Sequence, residues 1–237
     1  MRWAQLTDIG LVRSLNEDGL CVSPELGLFA VADGMGGHLA GEVASATALQ
    51  MLEQDLGKRL QNGELPEHAL VDAVQEANRK IFELSSGNQQ WTGMGTTITA
   101  CLKRGEVIYL AQVGDSRAYL LRESLIVQLT EDHSLVREMV KNGGLTEEQA
   151  LQHPKRNILT RALGTAPSVN IDLYHHGVVP GDLLLLCTDG LTGYLRPDEI
   201  MLTIRTSPDL DTAARCLVDK ALVAGGKDNI TVILLET

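Results

Sequence analysis

The chain has 237 residues, of which 44% are hydrophobic, 22% charged and 3% aromatic. This length and balance fit one globular domain with an aliphatic core and exclude a largely disordered chain. Asp and Glu number 31 against 20 Lys and Arg, a formal charge of −11, which argues against nucleic acid or an acidic membrane as a partner because both call for a basic face.

The N-terminal stretch Met1–Asp8 lacks the apolar segment of a signal peptide. Leu28 to Ala32 is a continuous apolar run ending in Asp33-Gly34, which predicts a strand buried on both faces. Residues 39–60 carry Val43, Ala44, Ala48, Met51 and Leu52, and they predict a helix. A second helix is predicted over 66–84, opened by Pro66 and striped by Leu70, Ala73, Val74, Ala77, Ile81 and Leu84. Strands are then expected over 95–102, 107–113 and 118–121. Residues 131–165 hold a short amphipathic piece, Gly143-Gly144 and a basic group of Lys155, Arg156 and Arg161, and read as a surface insertion or a plain connection. Leu183 to Cys187 predicts another buried strand, ending in Thr188-Asp189-Gly190. Pro208-Asp209 opens a helix predicted over 209–224, closed by Gly225. Ile230 to Leu235 predicts the last strand.

Strands and helices do not alternate regularly, so the class is α+β, with mainly antiparallel sheets. Strands buried on both faces need a sheet on one side and helices on the other. Two sheets packed face to face with helices outside, a four-layer sandwich, is the expectation. Cys21, Cys101, Cys187 and Cys216 have no zinc-ligand or paired spacing, which points to a reducing cytoplasm. No apolar run is long enough to span a membrane.

Two Asp-Gly pairs, Asp33-Gly34 and Asp189-Gly190, end the two most apolar strands. Each reads either as a turn dipeptide or as a carboxylate fixed by a rigid element. Glu17, Asp18, Asp115 and Asp228 stand in other turn-like settings. Clustered carboxylates suit hard divalent cations such as Mg²⁺ or Mn²⁺. His38 follows a glycine-rich stretch and is a candidate general acid or a plain surface histidine. Asp209-Leu210-Asp211-Thr212 has the spacing of an aspartyl-phosphate motif, but it opens an amphipathic helix, so N-capping accounts for it better.

Eight stretches in order, RSLNED (13–18), VADGMGGH (31–38), GMGTTIT (93–99), VGDSRAYL (113–120), LTEDHS (129–134), NILTRALG (157–164), CTDGL (187–191) and DNITVIL (228–234), run the length of the chain. Through them the chain resembles the metal-dependent protein phosphatases of the PPM (type 2C) family in their compact bacterial form. The resemblance implies an α-β-β-α sandwich over residues 1–237, with 131–165 as a flap. It implies hydrolysis of phosphoserine and phosphothreonine by a metal-activated water. In it Asp33 bridges two Mn²⁺ or Mg²⁺ ions, and Asp189 and Asp228 complete the first ion's protein ligands. The Gly34 carbonyl serves the second ion, with Glu17 and Asp18 acting through waters. Asp115, with Asp189, holds a third, weaker ion. Arg13 binds the substrate phosphate and His38 protonates the leaving group. Implied partners are phosphorylated proteins, a cognate Ser/Thr kinase and FHA-domain proteins, met in the cytoplasm by a monomer. A phosphoprotein-binding module and a phosphatase of small phosphate esters are the alternatives.

Overall fold

The computed structural model describes residues 1–36, 40–151 and 153–237. One sheet runs in the order β1 (Arg2–Asp8), β11 (Ile230–Glu236), β10 (Leu183–Cys187), β7 (Arg117–Arg122), β8 (Leu125–Gln128). The other runs β2 (Asp18–Ser23), β3 (Leu28–Met35), β5 (Ile98–Arg104), β6 (Val107–Val113), β9 (Asp172–Gly177), with the short β4 (Gly95–Thr96) pairing to the end of β3. Strand pairings among the described residues are antiparallel throughout.

Alternation along the strands builds the layers. In β3, Leu28, Ala30 and Ala32 pack against α1 (Ala40–Gln61) and α2 (Pro66–Gly87). Phe29 and Val31 point the other way, toward Leu184, Leu186, Ile233 and Leu235 of the opposite sheet. In β10 and β11 the partners of that alternation, Leu185, Cys187, Val232 and Leu234, pack beneath α6 (Pro197–Thr206) and α7 (Leu210–Val223). In these three central strands nearly every side chain is thus buried whichever way it points, and each large aliphatic one contributes about 1.5–3 kcal/mol. The result is the expected α-β-β-α sandwich with three apolar layers.

The first helix is built for close approach. Its buried N-terminal face is Ala40, Gly41, Ala44, Ser45 and Ala48, and Leu49, Leu52 and Leu56 follow. A Cβ on Gly34 would lie 2.1 Å from the Gly41 carbonyl oxygen, so β3 and α1 meet backbone to backbone at the end of the strand. Pro66 stands in the first turn of α2, and the Asp209 carboxylate accepts the Thr212 N–H at 2.7 Å, confirming a cap where the aspartyl-phosphate spacing stood.

Several local expectations change. Asp33-Gly34 lies inside β3, and Asp189-Gly190 opens a four-residue helical turn, α5 (Asp189–Thr192). The strand expected over 95–102 is broken at Thr97, whose hydroxyl and amide serve the Asp33 backbone. β1, β2, β8, β9 and α6 were not among the predicted elements. Residues 131–165 contain α3 (Leu135–Lys141) and the short α4 (Glu147–Leu151).

Candidate metal and phosphate site

The two-residue period of β3 places Asp33 on the face of Phe29 and Val31, toward the opposite sheet. Asp18 opposes Asp33 across the β2–β3 ladder, so the two carboxylates share that face. Two threonines reach Asp18 from the other sheet. The Thr188 and Thr231 hydroxyls donate to its Oδ2 at 2.9 and 2.6 Å. Asp189 follows Thr188 at the end of β10, and Asp228 stands in the turn before β11. The site therefore sits at one end of the layer between the sheets.

Asp115 comes from the β6–β7 turn. Gly114 has φ +106, and a Cβ there would lie 2.5 Å from the Thr97 side chain, so the turn needs glycine. Thr97 Oγ1 accepts the Asp33 N–H at 2.9 Å and shares a 2.8 Å hydrogen bond with Ser116 Oγ. One buried threonine thus ties the Asp33 strand to the Asp115 turn.

Arg13 and Glu17 come from the β1–β2 connection, which Asn229 holds. The Asn229 carboxamide donates to the carbonyls of Ile9 (2.9 Å) and Leu15 (3.0 Å) and accepts the Glu17 N–H at 2.8 Å. Arg13 Nη2 donates to Asp228 Oδ2 at 2.8 Å. The Gly34 N–H donates to the Glu17 carbonyl at 3.1 Å. A Cβ on Gly41 would lie 2.2 Å from Glu17 Oε1, so α1 leaves room for that carboxylate only because position 41 is glycine.

Electrostatics confirms the convergence. Burial, then the charges of Asp18, Asp189, Asp115 and Asp228, holds the Asp33 carboxyl well above the carboxylate range. Burial and Asp189 do the same to Asp115, against Arg117. Asp18 is pushed up to about 7 by burial, despite the two threonine hydroxyls. Asp189 is pushed up to about 6 by burial and by Asp228. Burial raises Glu17, and Arg13 opposes the rise.

Such a cluster is unstable as a set of bare anions. Glu17 Oε1, Asp18 Oδ1 and Asp189 Oδ1 are buried with no hydrogen-bond partner in the protein. Buried acceptors of that kind are costly unless something positive satisfies them. The donor set is all oxygen, which suits Mg²⁺ or Mn²⁺. Among the described residues no three of these side chains close into a ready cage for one ion. A cluster that takes two ions and several waters has its carboxylates spread further than a single-ion cage, and the orphaned oxygens carry the fit.

The structure brings Asp18, Asp33, Asp115, Asp189, Asp228, Glu17 and Arg13 together, with the Gly34 backbone beside Glu17. His38 lies outside the described residues. Arg161 of the 131–165 segment pairs with Asp172 at 2.7 Å and lies against His133. A cleft of about 470 Å³ runs from Asp115 and Asp189 to Val136, Val140 and Ala150 of the 131–165 segment. Thr97, Thr188, Thr231 and Asn229 were not among the expected site residues. Only Thr231 lies within a strand, with Ile233 two residues on; Thr97, Thr188 and Asn229 stand just outside strand ends, where a polar residue is ordinary and gives no signal.

A family model described as Protein phosphatase 2C matches residues 14–224. The serine/threonine phosphatase stp of Listeria monocytogenes is 41% identical over 236 residues, covering 97% of this chain and 93% of that protein. The crystal structure of the Mycobacterium tuberculosis serine/threonine phosphatase PstP/Ppp superposes with a TM-score of 0.90 at 37% identity, over 100% of this chain and 99% of that one. The catalytic domain of the serine/threonine protein phosphatase PstP in complex with 2 manganese ions gives a TM-score of 0.87 at 35% identity, over 99% of this chain and 97% of that one.

Proposed function

The chain belongs to the protein phosphatase 2C family, and on that premise we propose that it hydrolyses phosphoserine and phosphothreonine in proteins at a centre of two divalent cations. The observation that carries this reading is the set of mutually facing buried carboxylates with orphaned oxygens, which bound cations would satisfy. The manganese-bound PstP structure supports the count of two ions.

Asp33 would bridge the ions, Asp189 and Asp228 would complete the first site, and the Gly34 carbonyl would serve the second. Glu17 and Asp18 would hold waters of that shell, and Asp115 with Asp189 would take a third, weaker ion. Bound divalent ions supply hydroxide near neutral pH and offset the charge of the phosphate. Arg13 presents a planar fork to two phosphate oxygens while Asp228 keeps one of its nitrogens in place. His38 would protonate the departing serine or threonine oxygen, a poor leaving group without a proton. The reading includes Mn²⁺ or Mg²⁺ as the working metal and residues 131–165 as a flap over the cleft. It also includes a monomer in the cytoplasm opposing a Ser/Thr kinase, with FHA-domain proteins among the targets. Four unpaired cysteines support a reducing compartment. Among the described residues no helix is long and apolar enough to cross a membrane.

The test is phosphate release from a phosphothreonine peptide with Mn²⁺ and with EDTA, beside Asp189→Asn. Manganese-dependent release is expected, reduced ~100-fold or more in the variant, since outer-shell changes at metal sites alone cost ~10–100-fold. Release that survives EDTA, or near-normal turnover by the variant, would overturn the reading.

A further inference from the structure

The β1–β2 connection carries an unusual combination beside the site. Its backbone is fixed along most of its length. The Leu11 N–H donates to the Gly226 carbonyl at 2.7 Å, the Gly10 N–H to Asp8 Oδ1 at 2.8 Å, and Asn229 takes the carbonyls of Ile9 and Leu15. Gly10 sits at φ +80, and a Cβ there would lie 2.2 Å from the Asp228 carbonyl oxygen, so the loop is pressed onto the Asp228 turn. Yet its apolar side chains face water. Leu11 and Val12 are each 68% exposed, and Ile9 is 39% exposed. Adjacent large aliphatic side chains held in solvent by a fixed backbone are a signature of a contact surface.

The place of this surface names its occupant. Val12 immediately precedes Arg13, whose guanidinium reaches Asp228. Consecutive Cα atoms are ~3.8 Å apart. A protein or peptide whose phosphate is seated at Arg13 brings the residues next to the phosphoresidue toward the loop that carries Leu11 and Val12. We propose that Ile9, Leu11 and Val12 form a ledge that selects phosphopeptide segments with a large apolar side chain next to the phosphoserine or phosphothreonine. This rests on the phosphatase reading and on Arg13 as the phosphate group's partner. The ledge is preformed, so little ordering entropy opposes the contact. Its contribution is to binding and belongs in KM, because the flanking residue does not change charge in the reaction.

Two phosphothreonine peptides test it, identical except for leucine or serine on both sides of the phosphothreonine. The wild-type protein with Mn²⁺ should favour the leucine peptide by ~5–10-fold in kcat/KM, the difference lying in KM. Leu11→Ser with Val12→Ser should bring the ratio to about one, through a higher KM for the leucine peptide. Leu11→Met with Val12→Ile should restore the preference. A ratio near one in the wild type, or a ratio that survives the double serine variant, would overturn the ledge alone. A concentration-dependent dimer that the serine variant abolishes would also overturn it, by giving the patch to a second copy of the chain. Absence of turnover with both peptides would overturn the phosphatase reading and the ledge together.

Discussion

Asn229 shows how one side chain coordinates residues distant in sequence. Its carboxamide fills three backbone sites, two near the ends of the Arg13 loop and one at Glu17. The neighbouring Asp228 carboxylate holds the guanidinium of Arg13. Residues 228 and 229 together set Arg13 against the buried carboxylates, and under the proposed function Asn229 is a positioning residue that acts through Arg13. Asn229→Ala leaves one buried N–H and two carbonyls short of a partner. It should raise KM by about tenfold, equivalent to ~1.4 kcal/mol. A double-mutant cycle with Arg13→Ala separates positioning from general damage. If Asn229 works through Arg13, its effect on KM should nearly vanish once Arg13 is alanine. Full additivity of the two effects would assign Asn229 to stability alone.

At the scale of elements, the 131–165 segment is fastened to the Asp115 turn by a reciprocal clasp. The His133 N–H donates to the Gly114 carbonyl at 2.9 Å, and the Gly114 N–H donates to His133 Nδ1 at 3.1 Å. Nε2 then carries the proton and faces Asp172 Oδ2 at 3.1 Å. Burial holds the His133 pKa below the ordinary histidine value, against the hydrogen bond to Asp172 and with the help of Arg161. The folded state therefore takes up this proton less readily than the unfolded chain does. Stability from the clasp is present above ~pH 6.5, the unfolded value, and is lost as pH falls below it toward the folded pKa, at up to about 1.4 kcal/mol per pH unit. His133→Gln does not titrate. The Tm advantage of the wild type over this variant should shrink between pH 7.5 and 5.5, with faster hydrogen exchange at the Gly114 amide. A constant or growing advantage would contradict the assignment. The sequence already made the central strands visible, because β3, β10 and β11 are apolar at both parities. It made Asp33 and Asp189 visible as Asp beside Gly after the apolar runs of β3 and β10. β1 and β2 escaped notice because an edge strand pairs its backbone without a continuous apolar run, and only Ala4 of β1 is buried. The threonines and Asn229 escaped because their partners lie as many as 224 residues away in the chain.

At the scale of the whole molecule, the site joins the two sheets at one end of their shared apolar layer, and it does so with charge. Asp18 and Asp33 come from one sheet, and Thr188, Asp189 and Asp228 come from the strand ends and turns of the other. Without a cation this junction concentrates like charges where burial penalises Asp18, Asp33 and Asp189. The short α5 adds little to offset this, since a single helical turn has a weak dipole. Function and stability therefore oppose one another here. Asp189→Asn removes one charge from the cluster while keeping the side chain's shape, and in EDTA it should raise Tm by ~2–4 °C, about 1 kcal/mol for a chain of this size. Manganese should reverse the order. Ions that bind only the folded state stabilise by about 2.7 kcal/mol at a hundred times Kd. The wild type should then gain ~5–10 °C, and the variant, short of a ligand, should gain little. Melting curves of the two proteins across a Mn²⁺ titration should therefore cross. Curves that never cross, with the variant less stable in EDTA as well, would mean that Asp189 serves the fold as an ordinary hydrogen-bonded carboxylate, and that the junction between the sheets carries no charge penalty for a cation to relieve.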